Sequence, residues 1–76
     1  MTTLFPGETM SPKRLATVLM KLRESKGVTQ EDLAKRARVS RGYLAALEAG
    51  HKKNPSLEIL KRLARALGVP VTELLE

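Results

Sequence analysis

An all-α fold, a small five-helix bundle, is predicted by three observations. Phe5 and Tyr43 are the only aromatic residues among 76, so the core must be built from Leu, Val, Ile and Ala, a composition that favours helices. Apolar residues recur three and four apart over the longer segments, which is the spacing of a buried helix face. Ser or Thr stands ahead of the helical segments and Gly behind most of them, the start and stop signals of helices. The length suits one domain with a marginal core. The expected division is an arm over residues 1–11 and a folded domain over 12–76.

The arm, MTTLFPGETMS, has Pro6-Gly7 as a turn signal and no periodicity, so it reads as loosely docked, with Phe5 free to pack back. Ser11-Pro12 then opens the first helix: a capping serine, followed by a proline whose missing N–H costs nothing in a first turn. Leu15, Val18, Leu19 and Leu22 give this helix its core stripe, and Gly27 ends it. Thr29 caps a second helix, with Asp32 as the acid in its first turn and Leu33, Ala34 and Ala37 on one face. Arg38-Val39 breaks that face. Ser40 caps a third helix carrying Leu44 and Leu47, and Gly50 supplies a left-handed stop. A basic loop, His51 to Pro55, leads to Ser56 and a fourth helix with Leu57, Leu60, Leu63, Ala64 and Leu67 expected inside and Lys61, Arg62 and Arg65 in water. Gly68 ends it, and residues 69–76 read as one last short helix, apolar enough to need a partner surface.

Fourteen Lys and Arg against eight Asp and Glu give a net charge of +6, which points to a polyanion. Position sharpens this. Residues 35–53 hold Lys35, Arg36, Arg38, Arg41, Lys52 and Lys53 with Glu48 as their only acid, so the excess sits on the second and third helices. There is no cysteine, which excludes disulfides and cysteine metal sites and suits the cytoplasm. No metal or cofactor is expected. No apolar run approaches membrane-spanning length, and the first residues lack the order of a secretion signal.

Two helices of under ten residues joined by a tight turn, TQEDLAKRARVSRGYLAALEAG, cannot bury enough surface alone and must serve a contact. With LRESKGVTQEDLA, VSRGYLAALEAG, NPSLEILKRLARALGV and the closing Leu74-Leu75 in one ungapped register from Leu15 to Leu75, the chain resembles the phage-repressor and Cro-like helix-turn-helix proteins, the XRE family. The resemblance implies a lambda-repressor-like DNA-binding domain whose third helix, residues 41–49, lies in the major groove. It further implies that Ser40, Arg41, Gly42 and Ala46 face base edges. Thr29, Gln30, Arg38, Tyr43, His51, Lys52, Lys53 and Asn54 match positions toward phosphates. Arg23 and Glu48 match a half-buried ion pair. The implied assembly is a homodimer on double-stranded DNA, for which the apolar end offers Val69, Val71, Leu74 and Leu75, and the short length is similar to that of restriction–modification controllers.

Chemistry ranks these positions. Arg41 is the one residue of the inserted face with a bidentate fork, which suits guanine O6 and N7 and discriminates by roughly 1–3 kcal/mol. Gly42, Ala45 and Ala46 offer close approach or methyl contact only, so shape and phosphate contacts carry more of the recognition. One departure from the family pattern is Arg38, at a turn position usually held by glycine; a left-handed backbone there costs roughly 1–2 kcal/mol. Either the turn differs or an arginine–phosphate contact offsets the strain. Enzyme readings fail: His51 is the sole histidine and sits in a lysine-rich loop, and no nucleophile or phosphate-loop signature appears. Membrane-surface binding fails because the apolar stripes are needed for the core. The competing class is a protein-binding module of the antitoxin type that uses the apolar end.

Overall fold

The computed structural model describes residues 12–52 and 55–75, and among them are five helices and no strand. Expectations for residues 1–11, including the Ser11 cap and the Phe5 contact, and for Lys53 and Asn54 fall outside the described residues. In order, the helices are α1 (Pro12–Ser25), α2 (Gln30–Ala37), α3 (Arg41–Glu48), α4 (Leu57–Leu67) and α5 (Thr72–Leu75).

The starts of α2, α3 and α4 share one chemical cause. Thr29, Ser40 and Ser56 stand in extended backbone, and their hydroxyl oxygens accept from the amides of Asp32, Tyr43 and Ile59 at 3.1, 2.9 and 3.1 Å. Each cap satisfies one otherwise orphaned first-turn donor, a contribution of about 1 kcal/mol. At the other end of α4, Gly68 is left-handed at φ 73, a conformation that glycine adopts without the Cβ clash.

The apolar stripes converge on one core. Leu15, Leu19, Leu33, Leu44, Leu47, Leu63 and Leu74 are almost wholly removed from solvent, each leucine contributing about 1.5–3 kcal/mol relative to exposure. Small side chains at Ala34, Ala37 and Ala64 let the backbones approach closely. α2 packs against α4 and α3, while α1 packs against α3 and α5. The short α3 is therefore held from behind by α1 and α2, and its outer face stays open. Two expectations about α4 are corrected. Leu57 is 52% exposed rather than buried, because it occupies the first helical position, before the stripe meets a neighbour. Arg62 is half-buried and bonded rather than solvated.

Candidate nucleic-acid interface

The unit formed by α2, its turn and α3 is fixed by polar contacts at three points. The first is the turn. Arg38 is the one non-glycine residue with positive φ among those described, at φ 60 and ψ 45, so the turn keeps the left-handed form and the strain is real. Its compensation lies inside the protein. Arg62 donates from Nε to the Ala37 carbonyl at 3.0 Å and from Nη2 to the Arg38 carbonyl at 2.8 Å, satisfying acceptors that the end of α2 leaves open. Charge-assisted bonds contribute about 1.5–3 kcal/mol when shielded and less where water competes, so two of them match the cost of the turn. The Arg38 side chain itself is exposed and has no hydrogen-bond or ion-pair partner among the described residues.

The second point is Glu48, whose side chain is 4% exposed. It accepts from Arg23 Nε at 2.7 Å and Nη2 at 3.0 Å, and from Gln30 Nε2 at 3.0 Å. Arg23 also donates from Nη1 to the Val28 carbonyl at 2.9 Å. This joins the end of α1, the start of α2 and the end of α3. The hydrogen bonds to Glu48 hold the Arg23 guanidinium above its ordinary value, against the desolvation that opposes them. Arg23 and Glu48 thus form a bidentate ion pair within the scaffold. Gln30, matched to a phosphate position, spends one amide N–H on Glu48 and keeps its carbonyl oxygen and second N–H.

The third point is the cap and outer face of α3. Ser40, Arg41 and Gly42 are exposed, Ala45 and Ala46 are half-buried, and Leu44 and Leu47 face inward. A Cβ added to Gly42 would meet nothing within 4 Å, so its small size is not required by packing inside the protein. Tyr43 is half-buried, and Lys52 Nζ lies 5.5 Å from its ring centroid, a cation–π contact that ties the following loop to α3. Thr29, His51 and Lys52 are exposed. The exposed residues among those expected to meet bases and phosphates therefore all belong to α3, the two caps, the turn and the loop that follows.

The four residues expected to meet a twin subunit divide. Leu75 is 43% exposed, Val69 and Val71 are half-buried, and Leu74 is 1% exposed. Leu74 is corrected to a core residue, since a side chain enclosed by its own protomer has no surface left to offer. Leu57, at 52%, is the exposed large apolar residue that periodicity assigned to the interior. Among the described residues no group of His, Asp and Glu is arranged to hold a metal, and no helix is long and apolar enough to cross a membrane.

Comparison with known proteins gives the same frame. A helix-turn-helix family model (HTH_3) matches residues 19–74. The transcriptional regulator DdrOP3 of Deinococcus deserti is 43% identical over 63 residues, which are 83% of this chain and 48% of that protein; the chain thus spans about half the length of this relative. The restriction–modification controller protein C.AhdI of Aeromonas hydrophila superposes with a TM-score of 0.79 at 33% identity, covering 83% of this chain and 94% of that one. SinR, a master regulator for biofilm formation solved in complex with DNA, superposes with a TM-score of 0.78 at 31% identity, covering 82% and 98%.

Proposed function

Because the chain belongs to the helix-turn-helix family over residues 19–74, whose relatives are transcriptional regulators and not enzymes, we propose that it is a sequence-specific regulator of transcription. It acts in the cytoplasm as a homodimer on an inverted repeat in double-stranded DNA, with half-sites about one helical turn, ~34 Å, apart. The observation that carries this reading is the open face of α3: Ser40, Arg41 and Gly42 exposed on a short helix whose other face is locked into the core. Such a helix has no structural need of its exposed arginine.

In this reading Arg41 reads guanine, while Ser40, Gly42 and Ala46 bring the helix close to the bases. Thr29, Gln30, Arg38, Tyr43, His51, Lys52, Lys53 and Asn54 contact phosphates. Gln30 does so with the amide atoms that Glu48 leaves free. Val69, Val71 and Leu75 meet the twin subunit. Position relative to a promoter decides between repression and activation.

The test is fluorescence-anisotropy binding to a duplex from upstream of the protein's own gene and to a scrambled duplex, across a salt series. Neutralising about eight phosphates gives a slope of log K against log salt of roughly −7. Arg41→Ala should weaken the native duplex by about 1–3 kcal/mol and the scrambled one far less. Equal weakening of both would make Arg41 a phosphate contact, and absence of binding to either would sink the DNA reading.

A further inference from the structure

We infer that the cleft between the C-terminal half of α2 and α4 is a phosphate-binding site distinct from the open face of α3. The cleft is a half-open depression of about 430 Å³ lined by Arg36, Arg38, Arg62 and Arg65, with Glu58 as the one acid of its lining and two alanines beside them. That volume lies within the range of small-ligand sites. No residue of α3 or of the loop after it contributes among the described residues, so the site can fill without any base being read.

The four guanidiniums are not used up by the fold. Arg62 spends Nε and one Nη2 hydrogen on the carbonyls of Ala37 and Arg38, which fixes its plane and leaves Nη1 for a ligand. Arg36 is paired with Asp32 at 3.0 Å, but both are about half exposed, so that pair exchanges readily with solvent or ligand. Arg38 and Arg65 have no partner among the described residues. Gathering four like charges around one concavity is unfavourable until an anion enters it. Arg38 adds a second mark: it holds a left-handed backbone that glycine would adopt more easily, so the strained turn places a guanidinium at the cleft where a glycine would place nothing.

The ligand follows from the donors. Guanidinium forks match the oxygens of phosphate in bidentate pairs. Four of them, against the Glu58 carboxylate in the lining and the Asp32 carboxylate paired with Arg36, leave an excess of two positive charges, which favours a multiply charged anion, such as a phosphate or pyrophosphate group, over a single carboxylate. Two sources present that chemistry: a free phosphorylated small molecule, and the backbone of a bound duplex.

The probe is pyrophosphate, titrated at low salt into the full chain and followed by amide NMR. Expected are saturable shifts confined to residues 36–38 and 58–66. Affinity should fall about tenfold in Arg38→Gly and in Arg65→Gln and stay unchanged in Arg41→Ala. Arg38→Gly is compatible with the positive φ, so loss of binding there is not loss of fold; the dispersed spectrum checks this directly. Shifts that do not saturate, that spread equally over Arg41 and Lys52, or that ignore both cleft substitutions overturn the site. Repeating the titration on the duplex complex separates the sources. Abolished shifts, with Arg38→Gly reducing the salt slope by about 0.9 for each phosphate it no longer neutralises, assign the cleft to DNA phosphate. Persisting shifts assign it to a free ligand. Should no duplex bind at all, the DNA reading fails while the free-protein titration still decides the cleft.

Discussion

At the scale of single residues, Glu48 is where removal and replacement have opposite expected outcomes. Its carboxylate is buried and takes three donors from two side chains, so removing one partner leaves an uncompensated charge in a dry place. Arg23→Met should cost about 3–5 kcal/mol for that reason. For a domain of this size each kcal/mol lowers the melting temperature by about 4–8 °C. The double change Arg23→Met with Glu48→Leu removes both charges and should recover most of the loss, leaving the Gln30 amide and the Val28 carbonyl without the partners they had. Thermal unfolding of the three proteins checks this. A double variant no more stable than Arg23→Met would mean that the pair contributes through geometry and not through charge cancellation. The raised value of Arg23 gives the sign of the pH effect: a base held above its ordinary value keeps its contribution at every pH below that ordinary value, so Arg23 does not make stability pH-dependent in the neutral range.

At the scale of elements, α3 contains a built-in weakness at Gly42. A glycine inside a helix is worse than alanine by about 0.5–1 kcal/mol, and nothing within 4 Å opposes a Cβ there. Gly42→Ala should therefore stabilise the free protein by that amount in urea unfolding. If α3 approaches the bases as closely as proposed, the same methyl should weaken operator binding. Stabilisation with unchanged binding would show that Gly42 is merely tolerated. The element scale also shows what was legible in the sequence. Five helices could be read from leucine spacing, and the caps Thr29, Ser40 and Ser56 from their side chains, because both signals are local. The roles of Arg62 and Leu57 were not legible. Which side of α4 meets the end of α2 depends on how the two helices cross, and spacing along one helix carries no information about that angle. The one available clue to Arg62 was the non-glycine Arg38 at a turn that requires positive φ, since such strain calls for a compensating contact somewhere. For the candidate site, residue types named the chemistry of Arg41 and Lys52, whereas the sharing of Gln30 with Glu48 appears only once α2 and α3 are packed.

At the scale of the whole molecule, a net charge of +6 opposes self-association in water, so a homodimer needs apolar contact and gains from a polyanion that neutralises both subunits. Leu75 tests this more cleanly than its neighbour. Leu74 is 1% exposed and Leu75 is 43% exposed, so two adjacent leucines have opposite fates. Leu74→Glu buries a charge in the core and should abolish folding. Leu75→Glu leaves the protomer's core intact and should barely move its unfolding midpoint. If the 43% of Leu75 left in water is covered by the twin subunit, losing it removes under half of the about 1.5–3 kcal/mol that full burial of a leucine contributes, once on each side, which weakens self-association by about tenfold or more. Sedimentation equilibrium on the wild type and on Leu75→Glu, with and without operator duplex, reads both quantities. A folded variant that dimerises as well as the wild type would move the interface away from α5 and toward Leu57, the other large apolar side chain left in water. A wild type that stays monomeric even on the duplex would remove the homodimer, and with it the reason to expect an inverted repeat.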